Sequence, residues 1–315
     1  MPPAAVTSAA KPSDWLIFFA VPIFFSSNII FGRGVIGDIA PFITAFLRWF
    51  GATLIMLPVV WADRRAATAF VRGHTGLWLL LGLLGMGVCG GLVYWALTLT
   101  TAANATLIYT TSSLFIILFQ CAFQGRAISG REIAGMAIAF VGVAVIVLRG
   151  NPDALRHLSF NLGDFCVLIA AIAFAGYSLL LRHPAVKKLP PLSLFGLIAF
   201  SGALVLAPPA AFELVTGGLL PDSPGDWYKI GGMILFASLA AFYCFQNSVR
   251  VFGPGMAGIT LYLMPPCSIV MAVIFLGERF ETYHAVGIVL VTGGIVLATA
   301  QLKRRAAKTP IMTES

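Results

Sequence analysis

Eight residues set within apolar stretches have side chains suited to holding a small solute: Asn28, Tyr94, Trp95, Tyr109, Tyr177, Gln246, Asn247 and Tyr262. Amides and phenols offer directional hydrogen bonds to amino and carboxyl groups, and aromatic rings pack against an apolar body. That is the chemistry of binding and release. Asn28 serves either a substrate or a bridge between two helices. Nothing comparable exists for bond breaking. The chain contains no HExxH, no GxSxG, no Walker lysine after a glycine loop and no cluster of histidine with carboxylates. His74, His157, His183 and His284 all lie in or beside loops and read as exposed loop residues. No enzyme activity, cofactor or metal is expected. Arg48 has two readings: its head group snorkels outward to the interface, or it neutralises a substrate carboxylate. Pro265 and Pro266 either break a helix at the binding site, where freed carbonyls face a cavity, or impose a static kink.

The elements that carry these residues follow from composition. Hydrophobic residues make up 59% of the 315 and charged residues only 10%, against about 25% charged in a soluble domain. The chain is predicted to be an all-α polytopic membrane protein. Its net charge of +8 therefore argues for no nucleic-acid partner; the expected partners are a lipid bilayer and a small-molecule substrate. Cys89, Cys121, Cys166, Cys244 and Cys267 fall inside apolar stretches without a CxxC pair, which argues against disulfides and metal. The polar start, Met1 to Asp14, does not read as a cleaved signal peptide.

A helix needs about 20 apolar residues to span the hydrocarbon core. Ten such stretches are predicted: 15–32, 42–61, 77–98, 105–124, 133–148, 164–181, 192–214, 228–248, 256–277 and 283–301. With ten spans the termini share a face. That face holds 14 Lys and Arg and the other face five, with Arg48 inside span two. Lysine and arginine concentrate in cytoplasmic loops, so both termini are expected in the cytoplasm of a cell with this protein in its inner membrane. The segment Ala102–Leu148 recurs without a gap 152 residues later, as Pro254–Ala300, with Gly125 on Gly277, Gly135 on Gly287 and Gly142 on Gly294. Five spans is an odd number, so the second copy enters the membrane upside-down. Such inverted repeats provide two half-pathways around a site near the midplane. In this register Tyr94 falls on Gln246 and Trp95 on Asn247, which fits a shared central cavity; an interfacial aromatic belt is the alternative for Trp95. The expected division is a tail at 1–14, a five-helix repeat at 15–148, a linker at 149–163, a second repeat at 164–301 and a tail at 302–315.

Several motifs resemble those of the drug/metabolite transporter superfamily, EamA type. Ser26-Ser27-Asn28 with Arg33 is similar to the family's W-G-x-N-F…K opening, with Phe25 in place of the tryptophan, and Phe174-Ala175-Gly176-Tyr177 with Arg182 is its echo. Phe46-Leu47-Arg48 with Ala52 resembles F-x-R…A; ALTLTTAANATLI at 96–108 resembles A-L-x-Y-T-S-A-x-x-A-x-L-I. Leu276-Gly277-Glu278-Arg279 matches L-G-E-R, with Pro265 in the L-x-P position. Departures are Ser113 where the first repeat usually has proline, and Gln124-Gly125-Arg126 in place of the first L-G-E-R. The resemblance implies ten helices and a secondary transporter of a small metabolite, an amino acid or similar amphipathic solute, or a drug, working by alternating access, often as an exporter. The pocket is then expected between spans one, three and four of the first half and six, eight and nine of the second. A membrane enzyme acting on a lipid-linked substrate and a non-transporting scaffold or sensor are the competing classes. The first needs a titratable or metal-binding cluster and the second a sizeable soluble domain.

Overall fold

In a computed structural model of the chain the described residues are 10–307, apart from 34, 36, 101, 152, 154–160, 277 and 278. Eight helices are long and apolar enough to cross a membrane, and the apolar stretches Pro12–Ser27 and Thr282–Ala298 bring the count to ten among the described residues. In chain order span 1 lies in the helix Pro12–Arg33, span 2 is Pro41–Ala62 and span 3 is Thr75–Ala96. Span 4 comprises Ala102–Thr110 and Ser112–Gln124, span 5 is Gly130–Val147 and span 6 is Leu162–Leu180. Span 7 is Pro191–Val215, span 8 is Pro224–Phe252, span 9 runs from Pro254 to Leu276, and span 10 begins the helix Thr282–Ala307. Large apolar side chains such as Phe19, Leu54, Leu118, Ile274 and Val289 point outward and are exposed. A surface of that kind is untenable in water and natural in lipid. The chain is a multi-pass membrane protein.

Local sequence sets the helix ends. Asn161 and Ser223 form capping boxes with Asp164 and Asp226 at the starts of spans 6 and 8, and Ser129 caps span 5. Gly125 ends span 4 in the left-handed region, at φ 63°, which glycine adopts without penalty. Both described ends lie on one side of the bundle, called here the terminal face; the other is the far face. On the terminal face, spans 2 and 3 are joined by an amphipathic helix, Arg64–Gly73, which buries Ala67 and Phe70.

The two halves are related by a two-fold axis, and reciprocal contacts reveal it. Spans 5 and 10 pack together with a glycine at each close approach. A Cβ on Gly294 would lie 2.5 Å from the Gly135 oxygen, and one on Gly142 would lie 2.9 Å from the Gly287 oxygen. Moving each member 152 residues along converts one contact into the other. The same exchange occurs between spans 2 and 7. The Ile43 amide at the start of span 2 donates to Glu213 Oε2 at the end of span 7 (2.9 Å), and Ser193 at the start of span 7 donates to Asp63 at the end of span 2. Here the shift is 150 residues. In both pairs the start of one helix meets the end of the other, so they run antiparallel and the axis is perpendicular to them. An axis perpendicular to membrane spans lies in the membrane plane, and the repeat is inverted. Each acidic group also sits at a helix start, worth about 0.3–1 kcal/mol against the helix dipole.

Between these two paired walls lie the other six spans. Span 1 packs on spans 8 and 9, and span 6 packs on spans 3 and 4, so each half inserts its first helix into the other half.

Candidate functional site

Four of those six spans depart from the regular α-helix, and they do so in symmetric pairs. Spans 3 and 8 widen into π-helical turns over Leu83–Leu92 and Met233–Ala240, overlapping in the 152-residue register. Spans 4 and 9 break at the same place: span 4 at Thr111, span 9 through a 3-10 turn at Thr260–Leu263. The chemistry of the two breaks differs. Pro265 and Pro266 lack the amide hydrogens that would bond back across the turn. In span 4 the Thr110 and Thr111 hydroxyls instead bond to the carbonyls of Leu107 and Ile108, which competes with the helix ladder. Neighbouring spans stitch the span 9 break in place. Ser26 donates to the Met264 oxygen (2.9 Å), and Ser113, which stands where proline is expected, donates to the Gly258 oxygen (2.7 Å).

Arg48 does not snorkel. It is 4% exposed and turned into the bundle, with its guanidinium on Ser238, the Tyr94 hydroxyl (2.6 Å) and the Ala237 oxygen (2.8 Å). The π-helical stretch of span 8 supplies that carbonyl, and the guanidinium also lies 4.9 Å from the Trp49 ring centre. With hydrogen bonds to a charged group worth about 1.5–3 kcal/mol each, the inward position outweighs escape to the interface. The two-fold puts the midplane near residue 53 of span 2, so Arg48 sits about 7 Å from it toward the far face at ~1.5 Å per residue. Above it a shallow cleft of about 20 Å³, room for about one water, is lined by Val35, Gly37, Ile39, Pro41, Thr44, Tyr94, Thr98 and Met233.

The symmetry counterpart of Tyr94, Gln246, lies on the opposite side of the midplane and is 5% exposed. Its Nε2 donates to the Tyr177 hydroxyl (2.8 Å), while Oε1 has no hydrogen-bond partner. Turning the amide over leaves the other end unpaired instead. Between the two levels Tyr109 is hydrogen-bonded to the Cys89 thiol, which also reaches the Ala170 oxygen at 3.4 Å. Phe25, Phe174, Phe242 and Phe245, all buried, pack ring against ring at 4.8–6.4 Å and close the core below Arg48. On the terminal face Gln120 and Arg126 lie over Gly255, where a Cβ would be 2.4 Å and 3.1 Å from their polar atoms. Arg126 is in turn paired with Glu132.

Of the residues singled out from the sequence, Tyr94, Tyr109 and Tyr177 share one core cluster with Trp49 and the phenylalanines. They stand at different depths, not around one central pocket. Tyr262 is fully buried elsewhere, against Ala139, Val143, Ile146 and Val291 of spans 5 and 10, with its hydroxyl unpartnered. Trp95 packs toward Ala105, Cys166 and Val167. Asn247 is half-buried with Nδ2 unpartnered. The side chain of Asn28, like Gly277 and Glu278, lies outside the described residues. Sequence reasoning missed Cys89, Ser238 and the phenylalanine cluster; the shift that pairs Tyr94 with Gln246 also places Arg48's anchor Ser238 against Met86, which is uninformative on its own.

Comparison with known proteins decides the family. The profile of the EamA-like transporter family matches twice, over residues 13–148 and 161–300. The chain belongs to that family. It is similar to the uncharacterized transporter YetK of Bacillus subtilis (strain 168), 23% identical over 280 residues, covering 88% of this chain and 84% of the relative. It also resembles a "Probable terminal-alkyne amino-acid exporter" of Streptantibioticus cattleyicolor, 26% identical over 235 residues, 73% of this chain and 76% of that protein. A protein crystal structure shares the fold, with a TM-score of 0.75 at 18% identity, covering 94% of this chain and 99% of that one. This EamA-family chain is thus a membrane transporter.

Proposed function

We propose that this transporter is a secondary carrier that exports a small amphipathic solute bearing amino and carboxyl groups. It works by alternating access in the cytoplasmic membrane, with both termini inside. The terminal face is then cytoplasmic, and the repeats at 15–148 and 164–301 supply the two half-pathways, flanked by cytoplasmic tails at 1–14 and 302–315. Arg48 with Tyr94 receives the carboxylate at the outer level. Tyr177 with Gln246 receives the hydrogen-bonding end at the inner level, and Tyr109 and the phenylalanines contact the apolar body. Asn28, Trp95, Asn247 and Tyr262 are proposed lesser contacts, and the Pro265–Pro266 break is the hinge. The shallow cleft above Tyr94 and the closed phenylalanine cluster below it fit an outward-facing, largely closed state. Export is supported by the exporter among the relatives.

The observation that carries the reading is Gln246. A buried amide with one end unpaired costs about 1–3 kcal/mol, and such a cost is retained where a ligand repays it. The test is thermal unfolding of the purified protein across amino acids and cationic drugs, followed by counterflow in liposomes for any solute that stabilises it. Stabilisation by amphipathic carboxylates, absent in Gln246→Leu, is expected. Stabilisation that Gln246→Leu retains in full would remove the inner site.

A further inference from the structure

The terminal face carries a second feature that the transport path does not use. On the helix Arg64–Gly73, at about 100° per residue, Arg64, Arg72 and Arg65 fall within a sector of roughly 100°. Ala67 and Phe70 lie on the other side, buried at 4% and 5% exposure. The helix is thus fixed to the protein by its apolar face, with all three arginines exposed. Arg64 fixes its depth. Its guanidinium lies 5.7 Å from the ring centre of Trp61, which is 66% exposed at the end of span 2. An exposed tryptophan at a span end sits at headgroup level.

A neighbouring segment adds further positive charge. The rings of His74 and His183 meet at 6.1 Å, joining the arginine helix to the turn that carries Lys187 and Lys188, both exposed. Arg182 in that turn is occupied by the carbonyls of Val249 and Arg250, 3.3 Å away. Among the described residues none of Arg64, Arg65, Arg72, Lys187 or Lys188 is in an ion pair. Asp63, the nearest acid in sequence, is hydrogen-bonded to Ser193. Lys187 is held below its ordinary pKa, first by partial desolvation and second by the Arg182 charge. The symmetry-related connection between spans 7 and 8, residues 216–223, has no lysine or arginine, so this is a feature of one face only.

We propose that the Arg64–Gly73 helix and the Lys187–Lys188 turn form a docking surface for anionic phospholipid headgroups of the surrounding leaflet. The cations at headgroup depth bind the lipid phosphate, while Trp61 and the exposed apolar flank of span 2 contact its acyl chains. A cation near such a surface contributes about fivefold in affinity.

The test uses the full-length protein in a neutral detergent, with thermal unfolding followed against added phosphatidylglycerol. Phosphatidylglycerol should raise the midpoint saturably, phosphatidylcholine should not, and 0.5 M salt should weaken the effect. The triple variant Arg64→Gln, Arg65→Gln, Arg72→Gln should need about 100-fold more phosphatidylglycerol, and Lys187→Gln with Lys188→Gln about 25-fold more. The second variant keeps the helix intact should the first unfold. A variant with equal charge removed elsewhere, Lys303→Gln, Arg304→Gln and Arg305→Gln, should respond like the parent. An equal loss in that variant would reduce the effect to net charge and overturn the surface. An equal rise with inorganic phosphate would assign it to a soluble anion and overturn it as well.

Discussion

Replacing Gln246 with leucine tests whether its amide is there for the fold or for a ligand. The substitution removes the 2.8 Å bond to Tyr177 and leaves a buried phenol short of one partner, a loss of about 1–3 kcal/mol. It also removes an amide end that has no partner in the folded protein, which returns about 1–3 kcal/mol. The two terms offset, and Gln246→Leu should unfold within ~1 kcal/mol of the parent. Tyr177→Phe strips the amide of its one partner and should cost about 1–3 kcal/mol. Adding Gln246→Leu to Tyr177→Phe then removes the orphaned amide and should restore stability, a coupling of opposite sign to simple addition. Equilibrium unfolding of the four proteins in detergent reads these differences directly. A loss above about 2 kcal/mol for Gln246→Leu alone would mean that Oε1 is satisfied in the folded state, and the argument from an unpaired amide would fail.

The inverted two-fold makes a prediction about positions far apart in sequence. Gly142→Ala and Gly294→Ala both press a Cβ into the backbone of the facing helix, at 2.7 Å and 2.5 Å, and should destabilise similarly, by about 1–3 kcal/mol, with the double variant below the sum; a neutral single variant would contradict the symmetric packing. Arg48→Met takes a partner from Ser238, Tyr94 and the Ala237 carbonyl and should cost about 1–3 kcal/mol, and Arg48→Lys less, but both should weaken carboxylate solutes at least tenfold while sparing uncharged ones in a binding assay. Equal loss for both solute classes would make Arg48 structural. Gly255→Ala places a Cβ against Gln120 and Arg126 and should open the terminal face, raising the alkylation rate of Cys244, now 7% exposed, several-fold by mass spectrometry; an unchanged rate would mean that Gly255 does not seal that face.

The architecture was readable because membranes impose simple rules. Span length and recurring glycines each depend on one-dimensional counting, and the structure follows them to within a few residues: span 8 runs 224–252 against an expected 228–248. The break near Pro265 was legible for the same reason, since proline acts locally. Its partner at Thr111 was not, because a threonine run is usually mere packing and only the hydroxyl bonds to Leu107 and Ile108 turn it into a breaker. Of the two readings of Arg48, snorkelling fails because it is judged from one helix alone. Its acceptors come from span 3 and from the π-helical part of span 8, which nothing in the local sequence announces. Tyr262 illustrates the converse. Its packing against spans 5 and 10 emerges only in three-dimensional assembly.

The central claim is that this EamA transporter binds an amphipathic carboxylate between the Arg48–Tyr94 and Tyr177–Gln246 levels. Counterflow of a labelled amphipathic amino acid into proteoliposomes, compared between the parent and Gln246→Leu with folding checked in parallel, tests it most directly. The account predicts counterflow in the parent and its loss in a folded Gln246→Leu protein. Undiminished counterflow in that variant would contradict it.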